Sequence, residues 1–109
     1  MANNISQWNF CASIPVYSVD STQIIVDRAV STGVKWIEYR LDYLPNLTSI
    51  SLSDLAKLIG FSPLPTIFCF GSIDFHKKSL NRFQSRKDIL ISCIRAHPTL
   101  IDINLSLPY

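Results

Sequence analysis

Four short extended segments alternate with three helical segments along 109 residues, and this alternation constrains the fold more than any other feature of the sequence. The first strand reads as Trp8-Asn9-Phe10-Cys11-Ala12-Ser13-Ile14-Pro15. Asp20, with Gln23 three positions on, has capping-box spacing. A helix is therefore expected from there through Ile24, Ile25, Ala29 and Val30, stopping at Gly33. Lys35 to Leu41 reads as the second strand, and Pro45 and Asn46 then break the chain. Ser51 or Ser53 caps a short helix with Leu55, Leu58 and Ile59 on its apolar side, ended by Gly60. Pro65 to Phe70 is the third strand, and a polar loop runs from Gly71 to about Ser79. The third helix is expected over roughly Leu80 to Ala96, with Phe83, Leu90 and Ile94 on one face and Pro98 preventing continuation. Leu100 to Leu105 is the fourth strand.

The order βαβαβαβ implies a parallel sheet with right-handed helical crossovers. An open doubly wound sheet and part of a (β/α)8 barrel both fit it. Side-chain alternation discriminates between them. Ile37, Tyr39 and Leu41 share one face of the second strand; Trp36, Glu38, Arg40 and Asp42 share the other. In the fourth strand Ile101, Ile103 and Leu105 oppose Asp102, Asn104 and Ser106. Each strand thus has an apolar face for helices and a second face that turns polar toward its C-terminal end. Helices covering both faces would bury Glu38, Arg40 and Asp102, at a cost unless every charge is paired. In a barrel the same polar layer lies at the C-terminal mouth, where active sites form. The expected fold class is therefore α/β, a partial (β/α)8 TIM barrel: a βαβαβαβ half-barrel with parallel strands, residues 1–109 forming a single domain. The competing reading of Glu38 and Arg40 is that they merely pair with each other or with a neighbouring strand.

Composition removes several function classes. Hydrophobic residues make up 48% of the chain, enough for a core. A net charge of +2 is too weak a bias for nucleic acid or an anionic membrane. No apolar run approaches the ~20 residues of a membrane helix. The polar start, Met1 to Asn9, predicts no leader peptide. Three cysteines without metal-like spacing predict neither a disulfide framework nor a metal site, and they suit a cytoplasmic, reducing compartment. Cys11, Cys69 and Cys93 are expected as small buried apolar groups. Gly33, Gly60 and Gly71 form no G-x-G-x-x-G, which argues against nucleotide binding on an open sheet.

The succession Cys11-Ala12-Ser13-Ile14, Ile37-Glu38-Tyr39-Arg40-Leu41-Asp42-Tyr43-Leu44, Pro65-Thr66-Ile67-Phe68-Cys69-Phe70 and Ile101-Asp102-Ile103-Asn104-Leu105 resembles the N-terminal half of type I 3-dehydroquinate dehydratases. The Glu-aromatic-Arg-x-Asp segment is the most specific part. The resemblance implies a (β/α)8 barrel of the shikimate pathway, which feeds aromatic amino-acid biosynthesis. Such a lyase dehydrates 3-dehydroquinate to 3-dehydroshikimate. A lysine forms a Schiff base, a histidine moves the proton, and no metal or external cofactor takes part. It also implies substrate-binding roles for Ser13, Glu38 and Arg40. A polyhydroxylated carboxylate needs such fixed donors and acceptors at the barrel mouth.

The sequence departs from that family in several places. A complete barrel takes about 250 residues, and these 109 reach only the fourth strand. The family's Schiff-base lysine and histidine lie on later strands, so no catalytic residue is expected within this chain. Lys35 sits at the N-terminal end of its strand, Lys57 and Lys87 on helices, and Lys77 and Lys78 in a polar loop. His76 reads as a solvated loop residue, and His97 as a helix-end residue favoured by the dipole. Gly71 stands where the family usually has an arginine, and Asn104 where it usually has a glutamate. Asp74 is the candidate to replace the family's loop glutamate, and Asn104 keeps a hydrogen-bonding amide.

Two functions remain open on this reading. One is the substrate-binding half of a dehydratase, inactive until a complementing C-terminal half or a second copy of the chain completes it. The other is a non-catalytic half-barrel that binds a small polyol-carboxylate or another protein. Open strand edges near Phe10 and Ile103 predict dimerisation or poor solubility of the isolated chain.

Overall fold

A computed structural model describes residues 9–45, 47, 50–70 and 83–103, with the backbone alone for 83–86. Strand β1 (Cys11–Pro15) leads into helix α1 (Val19–Ser31). Strand β2 (Trp36–Arg40) runs directly into one 3-10 turn (Leu41–Tyr43), followed by helix α2 (Leu52–Gly60). Strand β3 (Thr66–Cys69), helix α3 (Phe83–Arg95) and strand β4 (Leu100–Asp102) complete the sequence of elements. All four strands are parallel, in the order β1-β2-β3-β4.

That order decides between the two architectures. A doubly wound sheet reverses its winding direction at a switch point. Here each strand is added beside its predecessor without reversal. With right-handed crossovers, all helices then fall on one face, and α1 packs on α2 and α2 on α3. The result is an α/β half-barrel.

The core lies between that face and the helices. Ile14, Ile37, Tyr39, Leu41, Phe68 and Phe70 meet Val26, Leu55, Leu58, Ile89 and Cys93. Tyr39 is fully buried, and its hydroxyl donates to the Leu58 carbonyl at 2.6 Å, tying β2 to the last turn of α2. Burial raises the phenol above its ordinary pKa, so it remains a neutral donor. At the N-terminal ends of β3 and β4, Thr99 takes the Thr66 N–H on its hydroxyl and returns its own N–H to the Thr66 carbonyl.

Several local expectations are corrected. The N-cap of α1 is Ser18, whose hydroxyl accepts from the Ser21 N–H; Asp20 lies in the first turn. Starting two residues earlier brings Val19 onto the buried stripe with Thr22, Val26, Ala29 and Val30. Ile24 consequently faces solvent, 58% exposed. Helix α2 is capped by Ser51 in a reciprocal box with Asp54. Helix α3 buries Ile89 and Cys93, one turn apart, while Ile94 lies outward; the Phe83 side chain is outside the described residues. Cys69 and Cys93 are buried as expected, but Cys11, at the start of the edge strand β1, is exposed.

Candidate functional site

The face of the sheet turned away from the helices is built in rows, because parallel register places partners on the same side. One row runs Ser13, Glu38, Ile67, Leu100. The next, closer to the C-terminal rim, runs Pro15, Arg40, Cys69, Asp102. Ser13, Glu38 and Arg40 thus share one side of the sheet on adjacent strands, as the alternation predicted.

Their contacts are not with one another in all combinations. The Ser13 hydroxyl donates to Glu38 Oε1 at 2.6 Å, a short, charge-assisted hydrogen bond. Arg40 turns instead to Asp42. Its Nε donates to Asp42 Oδ1 at 3.0 Å and its Nη2 to Oδ2 at 2.7 Å. This bond is the first cause of a guanidinium pKa raised above its already high value. The guanidinium carbon also lies 5.4 Å from the centre of the Tyr43 ring, which Tyr17 meets edge to face. Of the competing reading, the half in which Glu38 and Arg40 pair with each other is not what the fold builds, whereas the half in which they pair with a neighbouring strand holds for Glu38, through Ser13 on β1.

Asp42 is the residue that reading the sequence missed. Strict alternation assigns it to the exposed end of the strand beside Glu38 and Arg40. Strand β2 ends at Arg40, however, and the 3-10 turn folds Asp42 back, leaving it 3% exposed. An acid two residues after a strand arginine was the available signal.

Farther across the face, Cys69 lies 3.5 Å from Asp102 Oδ2 as a hydrogen-bond donor. Glu38, Cys69 and Asp102 each bring one donor atom within 4.8 Å of the other two. Among the described residues these are the groups close enough to ligate a cation. Near the other side, burial raises the Cys11 thiol pKa, and the charge of Glu38 adds to the effect. A separate open cleft of about 410 Å³ lies at the start of α1, lined by Tyr17, Asp20, Leu44, Ile50 and Lys57 among others. It includes none of Ser13, Glu38 and Arg40. Asp74 and Asn104, with Gly71 and His76, fall outside the described residues.

The comparison with known families bears directly on this arrangement. The model of the type I 3-dehydroquinase family matches residues 10–109. The chain belongs to that family. Within the 3-dehydroquinase family, one curated relative is the bifunctional 3-dehydroquinate dehydratase/shikimate dehydrogenase, chloroplastic, of Arabidopsis thaliana. It is 30% identical over 95 residues, which are 87% of this chain and 15% of that protein. The 3-dehydroquinase match therefore spans a small part of that relative's length. The family match, over residues 10–109, covers β1 through β4 and every residue of the two polar rows. Among the described residues no helix is long and apolar enough to cross a membrane.

Proposed function

We propose that this chain supplies the substrate-contacting part of a 3-dehydroquinate dehydratase, acting in the cytoplasm on 3-dehydroquinate. The observation that carries the reading is the Ser13–Glu38 pair with Arg40 two residues along β2 on the same side of the sheet. A carboxylate already bonded to one hydroxyl has lone pairs left for substrate hydroxyls. The N–H groups of Arg40 not used by Asp42 are suited to substrate oxygens. Asp74 and Asn104 are proposed as further contacts.

The lysine that would form the Schiff base and the histidine that would move the proton come from outside these 109 residues. Among the described lysines, Lys35 precedes β2, Lys57 is exposed on α2 and Lys87 is exposed on α3; none lies in the polar rows. With such a lysine, its amine and the substrate ketone condense to an imine and release water. A base takes the proton next to the imine carbon, and the substrate hydroxyl leaves as a second water. Hydrolysis of the imine returns the lysine, so the step balances without a cofactor. Residues 1–109 act in this reading as one domain. Enclosure of a small ligand needs walls on most sides, whereas Ser13 and Asp102 are exposed. A complementing half, or a second copy of the chain, is proposed to close the face. Phe10 at 41%, Leu100 at 54% and Ile103 at 38% exposure are the apolar groups it would cover.

The second reading is a binding module without chemistry, favoured by Gly71 and Asn104 at positions where the family usually carries charge. Calorimetric titration with 3-dehydroquinate tests the first claim: saturable binding that Arg40→Ala abolishes is expected, and no binding by the wild-type chain would overturn it. Borohydride reduction separates the two readings. The isolated chain should trap no adduct, and a complementing half should restore trapping only if the chain is part of an enzyme.

A further inference from the structure

Among the described residues Asp42 is the one buried carboxylate. A carboxylate buried to this degree needs a partner to offset its lost hydration. It has one, and the geometry is a fork: both oxygens receive an N–H from the same guanidinium. The Tyr43 ring covers the guanidinium from a second direction, with Tyr17 packed edge-on behind it. Arg40 is thus gripped at one edge and at one face.

An arginine side chain carries five N–H donors in one plane. Asp42 takes one from Nε and one from Nη2, so the two on Nη1 and the second on Nη2 are left by this fork. The Arg40 side chain is 28% exposed while that of Asp42 is 5% exposed. The side of the pair that meets solvent is accordingly the arginine. A free arginine would lose rotamer freedom on gripping a ligand; one already held does not.

We propose that Asp42 is a positioning residue: it holds Arg40, with Tyr43, in the pose that presents the remaining N–H donors to an oxygen-rich ligand at the rim. This inference rests on the reading of Arg40 as a ligand contact given above, but the hold itself is measurable without a ligand.

The test uses the 15N-labelled full chain. The heteronuclear NOE of the Arg40 Nε–Hε group is expected to match that of the rigid backbone in the wild type and to collapse in Asp42→Asn. Titration with 3-dehydroquinate is expected to show affinity about three- to tenfold weaker in Asp42→Asn, from the cost of ordering one long side chain. A merely structural aspartate would lower stability and leave the affinity of the folded protein unchanged, which would overturn the proposal. A mobile Arg40 Nε in the wild type would overturn it too, and needs no variant to fold. Tyr43→Ala, which removes the ring and keeps Asp42, should weaken binding in the same direction, and unchanged affinity would count against the proposal. Failure of the wild type to bind 3-dehydroquinate, with Arg40 rigid, sinks the functional reading and leaves the hold of Asp42 on Arg40 standing.

Discussion

The Ser13 hydroxyl reaches Glu38 Oε1 at 2.6 Å because parallel register sets β1 and β2 so that these two residues are Cα partners. A register slip of one residue would move one of them to the helix side. The pair is therefore a product of the fold as well as of the two residue types.

Removing either partner should be felt by the ligand. Glu38→Gln keeps the shape and deletes the charge, and it is expected to weaken 3-dehydroquinate binding by about tenfold, the scale of one charge-assisted hydrogen bond. Ser13→Ala frees Glu38 from its fixed partner and should weaken binding less. Calorimetry on both variants checks the order; equal affinities to the wild type would separate the pair from ligand binding.

The core makes a different prediction. Tyr39→Phe keeps the ring and removes the donor to the Leu58 carbonyl, which retains the Phe61 N–H at 3.3 Å. With one of two donors left, the expected loss is about 1 kcal/mol. Urea unfolding followed by far-UV circular dichroism measures it.

His97 adopts φ 59° just after α3, a left-handed conformation that side chains with a Cβ adopt at a cost. His97→Gly should raise stability by about 1 kcal/mol in the same assay. A loss would mean that the imidazole makes a contact worth more than the strain.

Alkaline pH should destabilise the fold through its buried acids. Burial pushes the Cys93 thiol up to about 12 from an ordinary value of 9.0, and raises Tyr39 as well. Above pH 9 the unfolded chain releases the Cys93 proton while the folded chain keeps it. The folded state then binds more protons, so stability falls as pH rises. For Cys93 the fall spans roughly pH 9 to 12, between the two pKa values. Cys93→Ala should flatten the curve in that window, and an unchanged slope would contradict the assignment.

Much of the fold was legible because β2 carries its information in strict alternation. Ile37, Tyr39 and Leu41 are buried on one side, and Trp36, Glu38 and Arg40 are half-buried on the other. Strand order, the feature that excludes a doubly wound sheet, was not legible from any single segment; it followed from the cost of burying Glu38, Arg40 and Asp102 between two helix layers. The misses share a cause. Ile94 is one residue past the buried Cys93, and Ile24 is two residues from both Thr22 and Val26, about 200° round the helix from each, and composition cannot tell such positions from the buried ones. Leu41 fits the strand alternation equally well as the first residue of a 3-10 turn, which concealed that Asp42 folds back onto Arg40. The side on which Ser13, Glu38 and Arg40 lie was therefore readable, and the partner of Arg40 was not.

The most direct measurement is an amide NMR titration of the full chain with 3-dehydroquinate. The account predicts saturable shifts centred on Ser13, Glu38 and Arg40, lost in Arg40→Ala. Shifts confined to the cleft around Tyr17, Asp20 and Lys57, or no saturable shifts at all, would contradict it.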